Sequence, residues 1–201
     1  MPITITPLHQ LEPKELDQLV ILHCEVMHTL LAKLGKSIVQ RYYEIAQKDT
    51  TVIGLCAISE TGEIKAWALG SVDPAALNSK LRDRLGWFAV QMFIILVTRP
   101  FAFWELVSGQ MAPSDANRIQ TGQIELTYIG VAAKAQKQGI GTLILNSFCL
   151  AAIDKGFSSI ILSVETDNGS AIRLYESYGF QIIRTFQEGR FERYRMEYSI
   201  K

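Results

Sequence analysis

Cysteine is scarce. Cys24, Cys56 and Cys149 are the whole supply in 201 residues, each set among apolar neighbours. No CxxC and no Cys/His ligand spacing occurs, which argues against a disulfide-stapled scaffold and against a zinc or other metal site. The three read instead as small buried hydrophobes. Net charge is missing too, since 20 Lys and Arg balance 20 Asp and Glu. No overall field draws this chain to nucleic acid or to anionic lipid, which leaves only local patches for such contacts, and nucleic acid is not an expected partner. No apolar run approaches the ~20 residues of a membrane-spanning helix. The N-terminal Met-Pro-Ile-Thr-Ile-Thr lacks a basic region followed by an apolar stretch, so the expectation is a cytoplasmic protein without a signal peptide. Internal repeats, low-complexity tracts and linkers are absent, which leaves one domain over residues 1–201.

What remains is ample material for a core: 48% of residues are hydrophobic. Ile3 to Pro7 alternates apolar and polar residues and reads as a strand. Pro13 suits a first helical turn, and Leu16, Leu19, Val20 and Cys24 give that helix a stripe that extends to about Leu34, before Gly35. A second helix covers about Ser37 to Lys48. Thr51–Ser59 and Ile64–Val72 form a hairpin around Glu60-Thr61-Gly62-Glu63. Ser158–Glu165 is a further strand, Asn168–Tyr178 a short helix closed by Gly179. Phe180–Phe186 and Phe191–Ser199 are a last hairpin.

Residues 73–120 separate two strands that a shorter connection would join. Asp73-Pro74 opens the segment like a helix start. Phe88 to Thr98 is almost wholly apolar, Arg99-Pro100 interrupts it, and Phe101 to Val107 resumes. The favoured expectation is a pair of helices packed on the body, with most apolar residues shielded, walling off a site. A homodimer face and a membrane-surface patch over residues 86–107 are the sharper alternatives.

The stretch around which the rest is arranged is Gln136-Lys137-Gln138-Gly139-Ile140-Gly141. Before it, Ile124 to Val131 is rich in β-branched and aromatic residues and reads as a strand. After it, Ile140, Leu143, Ile144, Phe148 and Ala151 recur at helical spacing. A helix that starts in a glycine turn presents free N–H groups and its positive dipole end together, which makes an anion site. A bare glycine pair in a strand-to-helix turn is nevertheless common and is weak on its own.

Three pieces in order carry a family resemblance: Glu125-Leu-Thr-Tyr-Ile129-Gly-Val131, then Gln136-x-x-Gly139-x-Gly141, then Asn168-x-x-Ala171-x-x-Leu174-Tyr175-x-x-x-Gly179-Phe180. Together they resemble the GCN5-related N-acetyltransferase (GNAT) superfamily over residues 124–180. The resemblance implies an α/β fold, a mixed and largely antiparallel sheet of about seven strands flanked by helices and splayed near Ile129. Residues 73–120 are then a helical insertion between the third and fourth strands.

By the same resemblance the cosubstrate is acetyl-CoA. The backbone N–H groups of Gln138, Gly139, Ile140, Gly141 and Thr142 hold the pyrophosphate, helped by Gln136 and Lys137. The backbone from Ile129 to Val131 pairs with the pantetheine arm, and the Ile129 N–H faces the thioester carbonyl. Glu125, four residues before Ile129 and on the same face of a regular strand, is the general base. Its alternative is a strand glutamate holding a neighbour. Tyr175 is the general acid toward the thiolate, or else a core aromatic. Asn168 caps its helix and can also hold the pantetheine. The implied reaction is direct acetyl transfer to a primary amine: a small molecule, a protein N-terminus or a lysine. The rival readings are a CoA-binding module without transfer, and a partner- or membrane-docking protein that uses the apolar insertion. His23 and His28 are assigned no catalytic work, and Tyr42 and Tyr43 are either pocket lining or core.

Overall fold

The computed structural model describes residues 2–98, 100–101, 104, 119–189 and 191–200. One seven-stranded sheet runs through it, in the order β1-β2-β3-β4-β5-β7-β6. The strands are β1 Ile3–Pro7, β2 Val52–Ser59, β3 Ile64–Ser71, β4 Gln123–Val131, β5 Ser159–Glu165, β6 Gln181–Glu188 and β7 Phe191–Ser199. All neighbours pair antiparallel except β4 and β5, which are parallel. The expected fold class holds.

Helices cover both faces. On one, α1 (Pro13–Val26), α2 (Leu30–Leu34) and α3 (Lys36–Lys48) close a core that includes Leu19, Val39, Tyr42, Tyr43, Trp67 and Leu69. On the other, α6 (Ile140–Asp154) and α7 (Gly169–Tyr178) close a core of Ile124, Leu126, Ile144, Phe148, Leu162, Tyr175 and Phe180. Alternation along each strand feeds both, so Trp67 and Leu69 face the first core while Ala66 and Ala68 face the second. Cys56 and Cys149 are buried and Cys24 is half-buried.

Two expectations need correcting. The first helix does not continue to Leu34. It stops at Val26, and Thr29 starts α2 by accepting the Ala32 N–H. Thr29 is a good N-cap, and no periodicity count registers that. The insertion is helical where described, with α4 (Pro74–Ser79) capped by Asp73 and α5 spanning Leu85–Thr98. Its apolar residues, however, are not shielded. Ile95 is the buried residue of α5, whereas Leu85, Val90, Phe93, Ile94, Leu96 and Val97 are exposed. The apolar stripe is too wide for one side of one body to cover. Arg99, at the expected break, and most of the second apolar piece lie outside the described residues.

Candidate active site

The sheet opens beside β4. Its parallel ladder with β5 runs from Gln123 opposite Ser159 to Leu126 opposite Leu162 and ends there, although both strands continue. At that point β4 also carries a one-residue bulge. Leu69 of β3 faces Tyr128 and Gly70 faces Leu126, so Thr127 is the extra residue. Bulge and splay thus coincide.

The bulge corrects one inference. On a regular strand Glu125 and Ile129 share a face. Here Ile124 and Leu126 lie in the second core before the bulge, and Ile129 and Val131 lie beside that same core after it. Tyr128 lies with the first core. Glu125 therefore projects to the α1/α3 side, opposite the Ile129 side chain, because the extra residue inverts the alternation.

The backbone beyond the bulge has a free edge. The Ala132 N–H donates to Lys65 of β3 at 2.8 Å. Alternation then turns the amide and carbonyl groups of Gly130 toward β3, and those of Ile129 and Val131 toward the splay. Consistent with this, the Val131 carbonyl accepts from Gln136 Nε2 at 3.5 Å. Trp67 lies flat against the other side. A Cβ on Gly130 would come within 2.4 Å of its ring, so only glycine fits there.

Past Val131 the chain turns through Ala133–Ala135 into α6. Gly139 is the N-cap, in left-handed conformation at φ 78°, and no side chain caps the helix. A Cβ on Gly139 would meet nothing within 4 Å, and Gln136, Lys137, Gln138 and Thr142 are exposed around it. The Ile140 side chain is buried, leaving its N–H for the turn. Gly141 lies between Val131 and Leu174, each 3.6 Å from where its Cβ would be. The loop thus presents an uncapped helix start next to the splay, a fit for a phosphate-bearing ligand with an extended arm. A cleft of about 670 Å³, lined in part by Ile3, Lys65, Lys134, Gln138 and Leu143, adjoins the same loop on the β1 side.

Glu125 is not isolated. Arg195 of β7, 3% exposed, grips its carboxylate with both arms: Nη1 donates to Oε1 at 2.7 Å and Nη2 to Oε2 at 3.2 Å. The same Nη1 donates to Ser163 Oγ at 2.8 Å. This fork fixes the carboxylate in one orientation. Sequence reasoning missed Arg195, which lies 70 positions from Glu125 in a strand with no motif.

Beside this pair lies an aromatic cluster. Tyr128 packs edge-on against Tyr42 at 5.8 Å and against His23 at 5.0 Å. His23 is fully buried, its Nδ1 2.9 Å from the Tyr43 hydroxyl, and its Nε2 has no partner among the described residues. Burial pushes its imidazole down to about 4. Burial likewise raises the phenols of Tyr42, Tyr43 and Tyr128 above their ordinary value. Tyr42 and Tyr43 are core residues.

Tyr175 sits in the second core, 6% exposed, its ring 5.8 Å from Phe180. Burial holds its phenol protonated well beyond the usual range. Asn168 is the N-cap of α7, accepting from the Ala171 N–H at 3.2 Å and the Ser170 hydroxyl at 3.1 Å. Glu125 and the Ile129–Val131 edge thus share one strand, α6 starts against Val131, and α7 follows β5 across the splay.

Comparison with known proteins agrees with this geometry. Residues 97–180 match the family model described as Acetyltransferase (GNAT) family. A mycothiol acetyltransferase of Renibacterium salmoninarum is 30% identical over 115 residues, covering 55% of this chain and 32% of the relative. A mouse protein, probable N-acetyltransferase family 8 member 5, is 30% identical over 94 residues, covering 43% of this chain and 41% of that protein. The chain thus spans well under half the length of these curated relatives. Among solved structures, the ribosomal-protein-S18-alanine N-acetyltransferase of Escherichia coli aligns over 100% of this chain and 95% of its own, with TM-score 0.61 and 15% identity. An N-acetyltransferase from Thermoplasma acidophilum in complex with coenzyme A aligns over 100% of both chains, with TM-score 0.61 and 13% identity. Residues 97–180 of the chain are thus similar to the GNAT acetyltransferase family, and its fold is the one these solved acetyltransferases share.

Proposed function

We propose that this chain is an N-acetyltransferase that passes an acetyl group directly from acetyl-CoA to a primary amine. The observation that carries the reading is the uncapped start of α6, set beside a bulged strand whose backbone edge is open. Backbone N–H groups of residues 138–142 hold the pyrophosphate, with Gln136 and Lys137 alongside. The edge at Ile129 and Val131 takes the extended pantetheine arm as a further strand would be taken. Asn168 borders the arm. The thioester supplies an activated acetyl group. The Ile129 N–H lies where a donor to the thioester oxygen is needed.

Glu125 receives the proton that the amine loses, through water. Its side chain is 18% exposed, so solvent reaches it even though Arg195 holds both oxygens. Tyr175, kept protonated by burial, supplies a proton to the departing thiolate. The acceptor is an amine on a small molecule or on a protein N-terminus or lysine. The names of the relatives span both classes. Thiol release from acetyl-CoA, followed across a panel of such amines, tests the reading. A chain that binds acetyl-CoA and releases no thiol with any of them is the CoA-binding module instead.

A further inference from the structure

We propose that the outward face of α5 docks flat on an anionic lipid surface. The helix rests on the body through one side, where Ile95 is buried and Trp87 and Met92 pack on the first core. On the opposite side Val90, Phe93, Ile94 and Val97 are 44 to 67% exposed. At 100° per residue these four fall within one arc. An apolar patch of this kind on a single chain marks a surface with a partner.

Its chemistry separates a protein partner from a lipid one. Interfaces between folded proteins carry a polar rim and regular hydrogen bonds across it. The outward arc of α5 offers no side-chain donor or acceptor, and Leu85–Thr98 carries no charge at all. Lipid hydrocarbon accepts such a face as it stands. Charge is gathered just outside it. Residues 80–101 hold four cationic side chains and one acidic one, in a chain of zero net charge. Arg82 and Arg84 are exposed within a turn of the helix start. Phe101 is 90% and Trp104 71% exposed beyond its end, and tryptophan is a ring that settles at headgroup depth. The helix is too short to cross, and no described helix is long and apolar enough to do so, so it lies in the interface. The body replaces the polar face that an isolated interfacial helix needs. Because α5 packs on the core that also holds Tyr128, the docked surface lies on the Glu125 side of the sheet.

Flotation of the full chain with extruded vesicles tests this without any assay of transfer. One set is phosphatidylcholine alone, the other phosphatidylcholine mixed with phosphatidylglycerol. The chain should float with the mixed vesicles, with a blue shift of tryptophan emission. Phe93→Ser/Val97→Ser alters only exposed positions and should abolish flotation at unchanged melting temperature. Arg82→Gln/Arg84→Gln should weaken it roughly fivefold per charge at low salt. Ile182→Ser, at an exposed apolar position on β6, should leave it intact. Failure to float with either vesicle overturns the proposal. So does equal binding to both, or a concentration-dependent dimer by light scattering that Phe93→Ser/Val97→Ser dissolves.

Discussion

Glu125 was legible as a candidate base because it stands at a fixed distance before a glycine loop. What it touches was not legible. Arg195 and Ser163 reach it only because β5 and β7 pair in register, Ser163 opposite Arg195. Glu125→Gln keeps the shape and removes the base, so turnover should fall by ~10²- to 10⁴-fold, with acetyl-CoA affinity unchanged by calorimetry. Arg195→Met strands a carboxylate, and chemical denaturation should show a loss of about 3 kcal/mol, the low end for one broken partner of a buried pair. Arg195→Lys should recover part of the stability but not the orientation of the carboxylate, and so less of the turnover. Tyr175→Phe removes only a hydroxyl. Turnover should drop while the melting temperature holds, and an equal loss of both would make that hydroxyl structural. His23 gives a prediction from its burial. Its folded value is near 4, against 6.5 unfolded, so the folded state binds fewer protons between them. Stability from this group is full above pH 6.5, falls as pH drops, and is gone near pH 4, a loss of about 3 kcal/mol. Melting curves over that range should show it, and His23→Phe should flatten them.

Caps and closing glycines marked most element boundaries: Asp73 before α4, Asn168 before α7, Gly179 after it at φ 114°. The bulge at Thr127 left no such mark, since an extra residue in a strand has no required residue type. The expectation that α5 is shielded also failed, because a helix that is apolar nearly all round does not state what covers it. At the loop, Gly139→Asp adds strain at a positive φ and a negative charge at the helix start. Acetyl-CoA affinity should fall at least tenfold by calorimetry, and unchanged affinity would move the phosphate site elsewhere.

Across the whole molecule, the sheet is two leaves. β1 to β4 form one and β5 to β7 the other, and among the described residues the only direct ladder between them is the short parallel stretch from Gln123 to Leu126. A splay near Ile129 was expected from the family resemblance, but the brevity of the ladder was not. A ligand seated where the leaves part touches both, so acetyl-CoA should raise the melting temperature by mass action and do so steeply. The same brevity makes the chain divisible. Cut at the exposed turn around Gly156, it yields two pieces, each with its own hairpin. Mixed together, they should reassociate weakly alone and tightly with acetyl-CoA, so that a pair of fluorophores, one on each piece, reports the cosubstrate as a light signal.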